Sequence, residues 1–282
     1  MFLCAPALLL RKNGTTGRRY DETPPRIIGA TPENNSTGIK SRKINIYFDE
    51  FIKLDNPQEK VVVSPPQLET PEIKGAGKQI KIELKDSLRP NTTYTIDFSD
   101  AISDNNEGNP LGNFTYSFST GGNIDTLEVS GHVLEAANLE PIKGMLVGLY
   151  SNLSDSAFKT EPMLRVSRTD SRGRFVIRGI APGNYRIYAL ADADGNFKFT
   201  QKSEKLAFSH DIITPWSKPD VRQDTLWLDS LHIKDISRVN YTHFMPDNIV
   251  LRAFTEVNTD RYFIKAERKE ANRFSLFFSY GN

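Results

Sequence analysis

The stretch from Val129 to Phe199 constrains the fold of this chain most strongly, because short apolar runs alternate there with polar residues. The runs are rich in Val, Ile, Tyr and Phe, and they are separated by Gly, Pro, Asn and Asp. This pattern is typical of half-buried β-strands that are joined by tight turns. The sequence therefore predicts an all-β fold of antiparallel β-sandwiches.

Length and composition exclude several classes of protein. A chain of 282 residues suggests about two domains, and an apolar content of 38% is enough for packed cores. The 36 basic and 35 acidic residues nearly cancel, so no basic excess favours binding to nucleic acid. Cys4 is the single cysteine, which excludes an intramolecular disulfide framework, and the four histidines lack the spacing of metal ligands.

Residues 1–20 form a leader that begins with the apolar run MFLCAPALLL. The run is too short to span a bilayer, and basic residues follow it rather than precede it. Cys4 is a candidate lipid-accepting cysteine, and a lipid anchor there is the one membrane contact that we predict. Leu3 stands where such a site needs a small residue, which favours a shortened start over a working lipidation site.

Residues 21–122 are predicted to form the first sandwich. Strands with a period of two are expected at Lys43–Phe48, Ile80–Leu84, Tyr94–Phe98 and Phe114–Thr120. The sequence Gly121-Gly122-Asn123 then predicts a flexible joint, around which two modules fold independently.

Three segments of this first region carry family landmarks: PPRIIGATPENNSTGI, INIYFDEFI and LRPNTTYTIDFSDAISDNNEGNPLGNFTYSFST. Together they closely resemble the bacterial Ig-like domain that is named after the SbsA surface-layer protein, from roughly Thr23 to Thr120. The resemblance implies a turn at Pro90-Asn91 before the buried Tyr94. It also assigns most of the acidic loop between Asp100 and Asn109 to a hairpin.

Residues 124–235 are predicted to form a second sandwich. Its segments VSGHVLEAANLEPIKGMLVGLY and TDSRGRFVIRGIAPGNYRIYALADADGNFKF resemble the transthyretin-like β-sandwich of carboxypeptidase regulatory-like and Cna protein B-type domains. In that family the module is usually a spacer or a binding module. The predicted inner face consists of Val129, Val133, Val147, Leu149, Phe175, Ile177, Tyr185 and Ile187.

Residues 236–282 are predicted to be a partial third β module, truncated at its C-terminal end. Asn248–Phe254 and Arg273–Phe278 are expected to be its opening strands, with few contacts to the second sandwich. Asp224–Leu228 is expected to be a late edge strand of the second sandwich itself.

One loop has the side chains of a metal site. Asp192, Asp194 and Asn196 place oxygen atoms at alternating positions, as calcium-binding loops do. Phe197 stands where the EF-hand pattern needs Gly, and the twelfth loop position is Ser203, with Glu204 one residue beyond. Because Asp and Asn also favour turns, a turn is the preferred interpretation, and we predict no metal and no cofactor.

No motif of a known catalytic class is present. The sequence contains no Gly-rich phosphate loop, no Gly-x-Ser-x-Gly elbow and no His-Glu-x-x-His, so we predict no catalytic residue. Trp216 and Trp227, with four further aromatic residues, offer a platform for stacking on a glycan, although a role in the core is favoured. The four are Tyr188, Phe197, Phe199 and Phe208.

The two resemblances together imply a non-catalytic cell-envelope protein that serves in display, spacing or adhesion. The tandem is similar to predicted lipoproteins of Bacteroidetes, which implies an outer-membrane lipoprotein or a periplasmic or surface location. Envelope proteins or glycans are the expected partners. Two alternatives stay open: a carbohydrate-binding module of a surface glycan-uptake system, and the accessory domains of an enzyme encoded beyond Asn282.

Overall fold

The computed structural model describes residues 22–228, 232–256 and 261–279, and these are almost entirely β-strands and turns. The all-β prediction is confirmed. The leader, with the candidate lipidation site Cys4, lies outside the described residues. Among the described residues, no helix is long and apolar enough to cross a membrane.

The first unit, residues 22–122, contains nine strands and one short helix. They are β1 (Ile27–Thr31), β2 (Lys43–Phe48), β3 (Ile52–Leu54), α1 (Pro57–Lys60), β4 (Val62–Ser64), β5 (Glu72–Ala76), β6 (Gln79–Glu83), β7 (Thr93–Ser99), β8 (Ile102–Asp104) and β9 (Phe114–Ser119). The order β1-β2-β6-β5 forms one sheet, β4-β7-β9 forms a second, and β3 pairs with β8. All four predicted strands are present to within two residues at each end.

The core of this unit lies between its two larger sheets. Ile44, Ile46 and Phe48 alternate with exposed or half-buried residues on β2, as a period of two requires. They join the buried aromatic side chains of the facing sheet in a single cluster. Tyr94 stacks on Phe118 there with ring centroids 5.2 Å apart.

The second unit contains six consecutive strands, one short helix and a seventh strand from further along the chain. The consecutive elements are β10 (Leu127–Glu135), β11 (Leu146–Tyr150), α2 (Ala157–Thr160), β12 (Arg165–Arg168), β13 (Arg174–Ile180), β14 (Arg186–Leu190) and β15 (Lys205–Phe208). All eight residues of the predicted inner face are buried in one cluster. That prediction is confirmed.

A long hairpin follows, which we call the arm. It consists of β16 (Trp216–Trp227) and β17 (Ile233–Met245), which form a two-stranded sheet of their own. The chain then returns as β18 (Ile249–Thr255), which lies parallel to β10 and antiparallel to β15. The resulting order is β12-β11-β14-β15-β18-β10-β13.

The position of β18 corrects the predicted third module. Ile249, Leu251 and Ala253 are buried in the core of the second unit. β18 approaches β10 so closely that a Cβ on Gly131 would lie 2.0 Å from the carbonyl oxygen of Ile249. The expectation that 236–282 stands apart is therefore wrong for β18, because these apolar residues complete a sheet that is already present.

Two further expectations need correction in this region. Asp224–Leu228 was expected at the edge of the second sandwich, but β16 pairs with β17 along the arm instead. The predicted boundary at residue 235 falls inside β17. The remaining strands, β19 (Phe263–Glu270) and β20 (Arg273–Phe278), form a separate two-stranded hairpin.

The first residue of the predicted joint, Gly121, packs against the first unit, whereas a Cβ on Gly122 would meet no atom within 4 Å. The Gly121 N–H donates to Ser119 Oγ at 3.1 Å, and the Gly121 carbonyl accepts from the Gly38 N–H at 2.8 Å. A Cβ on Gly121 would lie 3.0 Å from the Cα of Asn91. Gly121 thus allows two segments of the first unit to approach each other closely.

Candidate functional site

The predicted calcium loop brings together three carboxylates. Asp192 and Asp194 follow β14, and Glu204 precedes β15 at the other end of the same loop. One oxygen atom of each lies within 4.8 Å of the others, and Glu204 is only 3% exposed. The sequence placed Glu204 one residue away from the EF-hand position, so its approach to the two aspartates was missed.

Backbone N–H groups of the loop bond to these same oxygen atoms. Asp192 accepts hydrogen bonds from Gly195 and Phe197, both at 2.9 Å. Glu204 accepts from Ala193 at 3.2 Å and from Gln201 at 3.2 Å. The carboxylates therefore act as the fixed acceptors of a tight turn, in which non-glycine Phe197 adopts a φ of 59°.

Asn196 takes part in the turn rather than in the carboxylate cluster. Its side-chain oxygen accepts from the Lys198 N–H at 2.7 Å, and its amide group donates to Asp194 at 2.7 Å. Burial raises the pKa of Asp192 above its ordinary value, and the adjacent Asp194 raises it further. Three carboxylates at this spacing can hold a divalent cation or share a proton, and a turn needs neither.

The predicted aromatic platform is not assembled. Tyr188 and Phe199 are buried and sandwich Phe158 in a stacked cluster, at 4.4 Å and 5.4 Å between ring centroids. Trp216 and Trp227 are exposed on the arm, but eleven residues of extended strand separate them by about 36 Å. The two tryptophans cannot stack on one sugar ring together.

The outer face of β7 forms the interface between the two units. Thr93 and Thr95 alternate with core residues and would face solvent in an isolated sandwich, yet they are 1% and 5% exposed. β13 covers them, and Gly179 has a φ of +69° where a Cβ would lie 2.8 Å from Thr95 Cγ2. Only glycine fits both the backbone conformation and the space.

Arg165 on β12 lies at the centre of this interface, and we call its contacts the Arg165 latch. Its guanidinium donates to the carbonyl of Thr93 in the first unit and lies 3.6 Å from the Asp125 carboxylate. Asp125 also accepts from the Thr93 hydroxyl at 2.9 Å. Arg165 is 5% exposed, and burial lowers its pKa to about 10.

A second set of contacts flanks the latch. Arg178 on β13 donates to Asp97 at 3.0 Å, and its Nε lies 3.4 Å from Glu128. The Val166 N–H donates to the Ser64 hydroxyl at 3.1 Å, which brings edge strands β12 and β4 together. Because each edge covers the other, neither is left open to pair with a foreign strand.

A cleft of about 350 Å³ lies beside this contact, between the two units. Apolar side chains of both units line it, among them Val62, Ile73, Leu146 and Phe197. Arg168 also lines it, and the Arg168 guanidinium donates to the Gly144 carbonyl at 3.0 Å.

The acidic hairpin of the first unit is organised by one residue. Asp104 is 1% exposed and accepts hydrogen bonds from the backbone N–H groups of residues 106, 107, 108 and 109 at 2.7 to 3.1 Å. Burial alone would raise the pKa of Asp104, but these four donors lower it below its ordinary value. The carboxylate is thus a structural acceptor in the hairpin that the family resemblance implied.

Three solved structures are similar to parts of this chain at low sequence identity. Among solved structures, PcoC, a methionine-rich copper resistance protein from Escherichia coli, is 17% identical; the alignment covers 34% of this chain and 96% of that chain, with a TM-score of 0.25. The N-terminal part of the bacterial S-layer protein SbsC is 15% identical over 62% of this chain and 42% of that chain, with a TM-score of 0.26. The T6 backbone pilin of serotype M6 Streptococcus pyogenes is 10% identical over 79% and 66%, with a TM-score of 0.21.

No curated protein matches the chain. One family model does, and its match spans all nine strands of the first unit and ends before β10. Residues 21–120 match the model of a bacterial Ig-like domain.

Proposed function

We propose that this protein is a non-catalytic structural component of the bacterial cell envelope, in which two firmly joined β units hold the arm at a fixed position. The buried Arg165 latch carries the proposal. Relative motion of two domains is the default when their interface is small, so contacts that restrain the units suit a spacer that keeps its ends at a constant separation. The latch, the contact of Gly179 with Thr95 and the Arg178 contacts all act against relative motion of the units.

The envelope location is supported by the match of the first unit to a bacterial Ig-like domain. We further propose that the second unit is a transthyretin-like sandwich, since the predicted inner face packs as that resemblance implies. The finer proposal is an outer-membrane lipoprotein, or a periplasmic or surface protein, of a Bacteroidetes-like bacterium, with envelope proteins or glycans as partners and Cys4 as the candidate lipidation site.

Cell fractionation tests the location. Expressed with its leader in a Bacteroidetes host, the protein is expected in the cell envelope, and Cys4→Ser tests whether a lipid on Cys4 holds it there. Proteolysis of intact cells then distinguishes surface display from a periplasmic location. Recovery of the wild-type protein from the cytoplasm would contradict the proposal.

A carbohydrate-binding role is the second candidate, and the exposed tryptophans of the arm favour it. Trp216 is 49% exposed and Trp227 is 56% exposed, and tryptophan is enriched at binding interfaces because its ring is apolar with one polar end. A glycan array with the whole chain tests this role. Saturable binding that is lost in Trp216→Ala or Trp227→Ala, but kept in Leu226→Ala, would favour recognition over spacing.

A further inference from the structure

The root of the arm contains a histidine between two carboxylates. His243 on β17 has its Nδ1 3.0 Å from Asp220 Oδ2 on β16 and its Nε2 2.9 Å from Asp247 Oδ2. Asp247 lies in the turn that leads from the arm into β18. The imidazole therefore bridges the arm and the chain segment that enters the core of the second unit.

The chemistry of the two contacts fixes the charge state of the ring. An ionised carboxylate only accepts hydrogen bonds, and a neutral imidazole carries a single N–H. Both contacts can be hydrogen bonds at the same time only when both ring nitrogens donate. The geometry at the root thus fits the imidazolium form of His243.

Of the two carboxylates that His243 bridges, Asp247 is held against the second unit, whereas Asp220 belongs to the arm. The Ser130 N–H on β10 donates to the Pro246 carbonyl at 3.1 Å, and the Ser130 hydroxyl lies 3.4 Å from the Asp247 carbonyl. These bonds hold the Asp247 turn against the second unit. Asp220 is part of β16, which pairs only with β17 among the described residues.

The charged groups around His243 come from three elements. On β16, Lys218 Nζ lies 3.8 Å from Asp220 Oδ2, and Arg222 lies over the Tyr241 ring at 5.7 Å. On β17, the Tyr241 ring lies 5.6 Å from the His243 ring. Next to Ser130, β10 contributes two ionisable residues, Glu128 and His132, of which Glu128 is engaged by Arg178.

The electrostatics agree with this geometry. Hydrogen bonds to Asp247 and then to Asp220 raise the pKa of His243 above its ordinary value of 6.5. A group with a raised pKa in the folded state stabilises that state fully below its ordinary value and loses this effect as pH rises through the raised value. The bridge is therefore intact in mildly acidic solution and is weakened above that range.

We propose that His243 is a pH-sensitive pin, which in its doubly protonated form ties the root of the arm to the second unit and on deprotonation releases one of its two bonds. The neutral ring keeps one N–H, so one carboxylate then faces a ring nitrogen that cannot donate. The arm stays paired along its length, but its root gains freedom relative to the sandwich.

Amide hydrogen exchange of the whole chain, measured from pH 5.5 to pH 9 and expressed as protection factors, tests this pin. Protection at the arm root, in residues 216–220 and 241–245, is expected to fall about fivefold as pH rises, on the scale of one charge-assisted contact at a surface. His243→Gln is expected to remove this pH dependence. His210→Gln, which alters an exposed histidine outside the arm, is expected to keep it.

A second variant keeps both contacts without the charge. In Asp247→Asn, the new amide group donates to the His243 Nε2 while Nδ1–H still donates to Asp220, so the neutral ring satisfies both. Protection at the root is then expected to stay high and constant with pH. An unchanged pH dependence in both His243→Gln and Asp247→Asn would overturn the proposal, as would a wild-type root whose protection does not change with pH.

Discussion

Single carboxylates explain much of the local structure of this protein. Asp104 satisfies four backbone N–H groups of a hairpin, and Asp192 and Glu204 do similar work in the loop after β14. Each carboxylate accepts hydrogen bonds from several backbone N–H groups that would otherwise need water. A short polar loop can therefore be partly buried. In both loops the acidic residues serve as acceptors for backbone N–H groups of a turn.

Asp104 makes the first unit sensitive to acid. Because its pKa is lowered in the folded state, its contribution is present above its ordinary value of 3.8 and is lost as pH falls through the lowered value. Asp104→Asn is expected to lower the melting temperature at pH 7. Both carboxylate oxygens of Asp104 accept hydrogen bonds, whereas an asparagine side chain has only one acceptor oxygen. The difference from wild type is expected to shrink below pH 3.

Thermal unfolding followed by circular dichroism at pH 7 and at pH 2.5 measures this difference. Glu107→Gln is the matched control, because it alters an exposed carboxylate on the same hairpin. Equal destabilisation of Asp104→Asn at both pH values would show that the charge of Asp104 is not what stabilises the turn.

The sequence predicted residues with local partners better than residues with distant ones. The Tyr94 hydroxyl accepts a hydrogen bond from the Arg89 N–H at 2.8 Å, only five residues away. The family resemblance implied the turn between these two residues. Arg165 contacts Thr93, 72 residues away, and Asp125, 40 residues away. Neither the alternation of a strand nor the spacing of a motif predicts contacts between residues so far apart in sequence. The burial of Arg165 could therefore not be predicted from the sequence.

At the scale of elements, alternation identified strands but not their partners. The four strands predicted in the first unit and the inner face of the second unit were found because one side of each strand packs into a core. β18 was also recognised as a strand, yet its place between β15 and β10 depends on a parallel pairing across about 120 residues, for which Gly131 makes room. Periodicity says nothing about such long-range pairing.

β18 is expected to be part of the stability of the second unit. Leu251→Ala removes a side chain with 0% exposure and is expected to cost about 3 kcal/mol in the free energy of unfolding, as buried leucines do. Val250→Ala on the same strand, where the side chain is 53% exposed, is expected to cost less than about 0.5 kcal/mol. Urea unfolding measures both free-energy changes. Equal effects of the two variants would show that β18 is not part of the core of the second unit.

The loop from Asp192 to Glu204 is expected to act as a turn whether or not calcium is present. Asp192→Asn should lower the melting temperature to the same extent in calcium and in a chelator, because it weakens acceptors of two backbone N–H groups. Asn196→Ala is a comparison that leaves the three carboxylates in place. A large rise in the wild-type melting temperature with calcium, abolished by Asp192→Asn, would instead identify a cation site.

At the scale of the molecule, the Arg165 latch couples the two units. Asp125→Ala leaves the buried guanidinium of Arg165 without its carboxylate and is expected to destabilise the protein by about 2 kcal/mol. The expected loss is smaller than for breaking a fully buried ion pair, because Asp125 is partly exposed. Asp155→Ala breaks the Arg186 pair, in which Asp155 is 89% exposed, and is expected to have almost no effect. Calorimetry distinguishes the two variants, and similar melting curves would show that the latch does not couple the units.

A distance measurement between the two units tests most directly whether they are rigidly joined. Spin labels on Lys81→Cys in β6 and Arg252→Cys in β18, in a Cys4→Ser background, place one exposed probe on each unit. Pulsed electron–electron double resonance is expected to give one narrow distance distribution, because the latch, the Arg178 contacts and the close contact of Gly179 with Thr95 all restrict motion. A broad distribution, of the kind that two sandwiches on a flexible tether produce, would contradict the account.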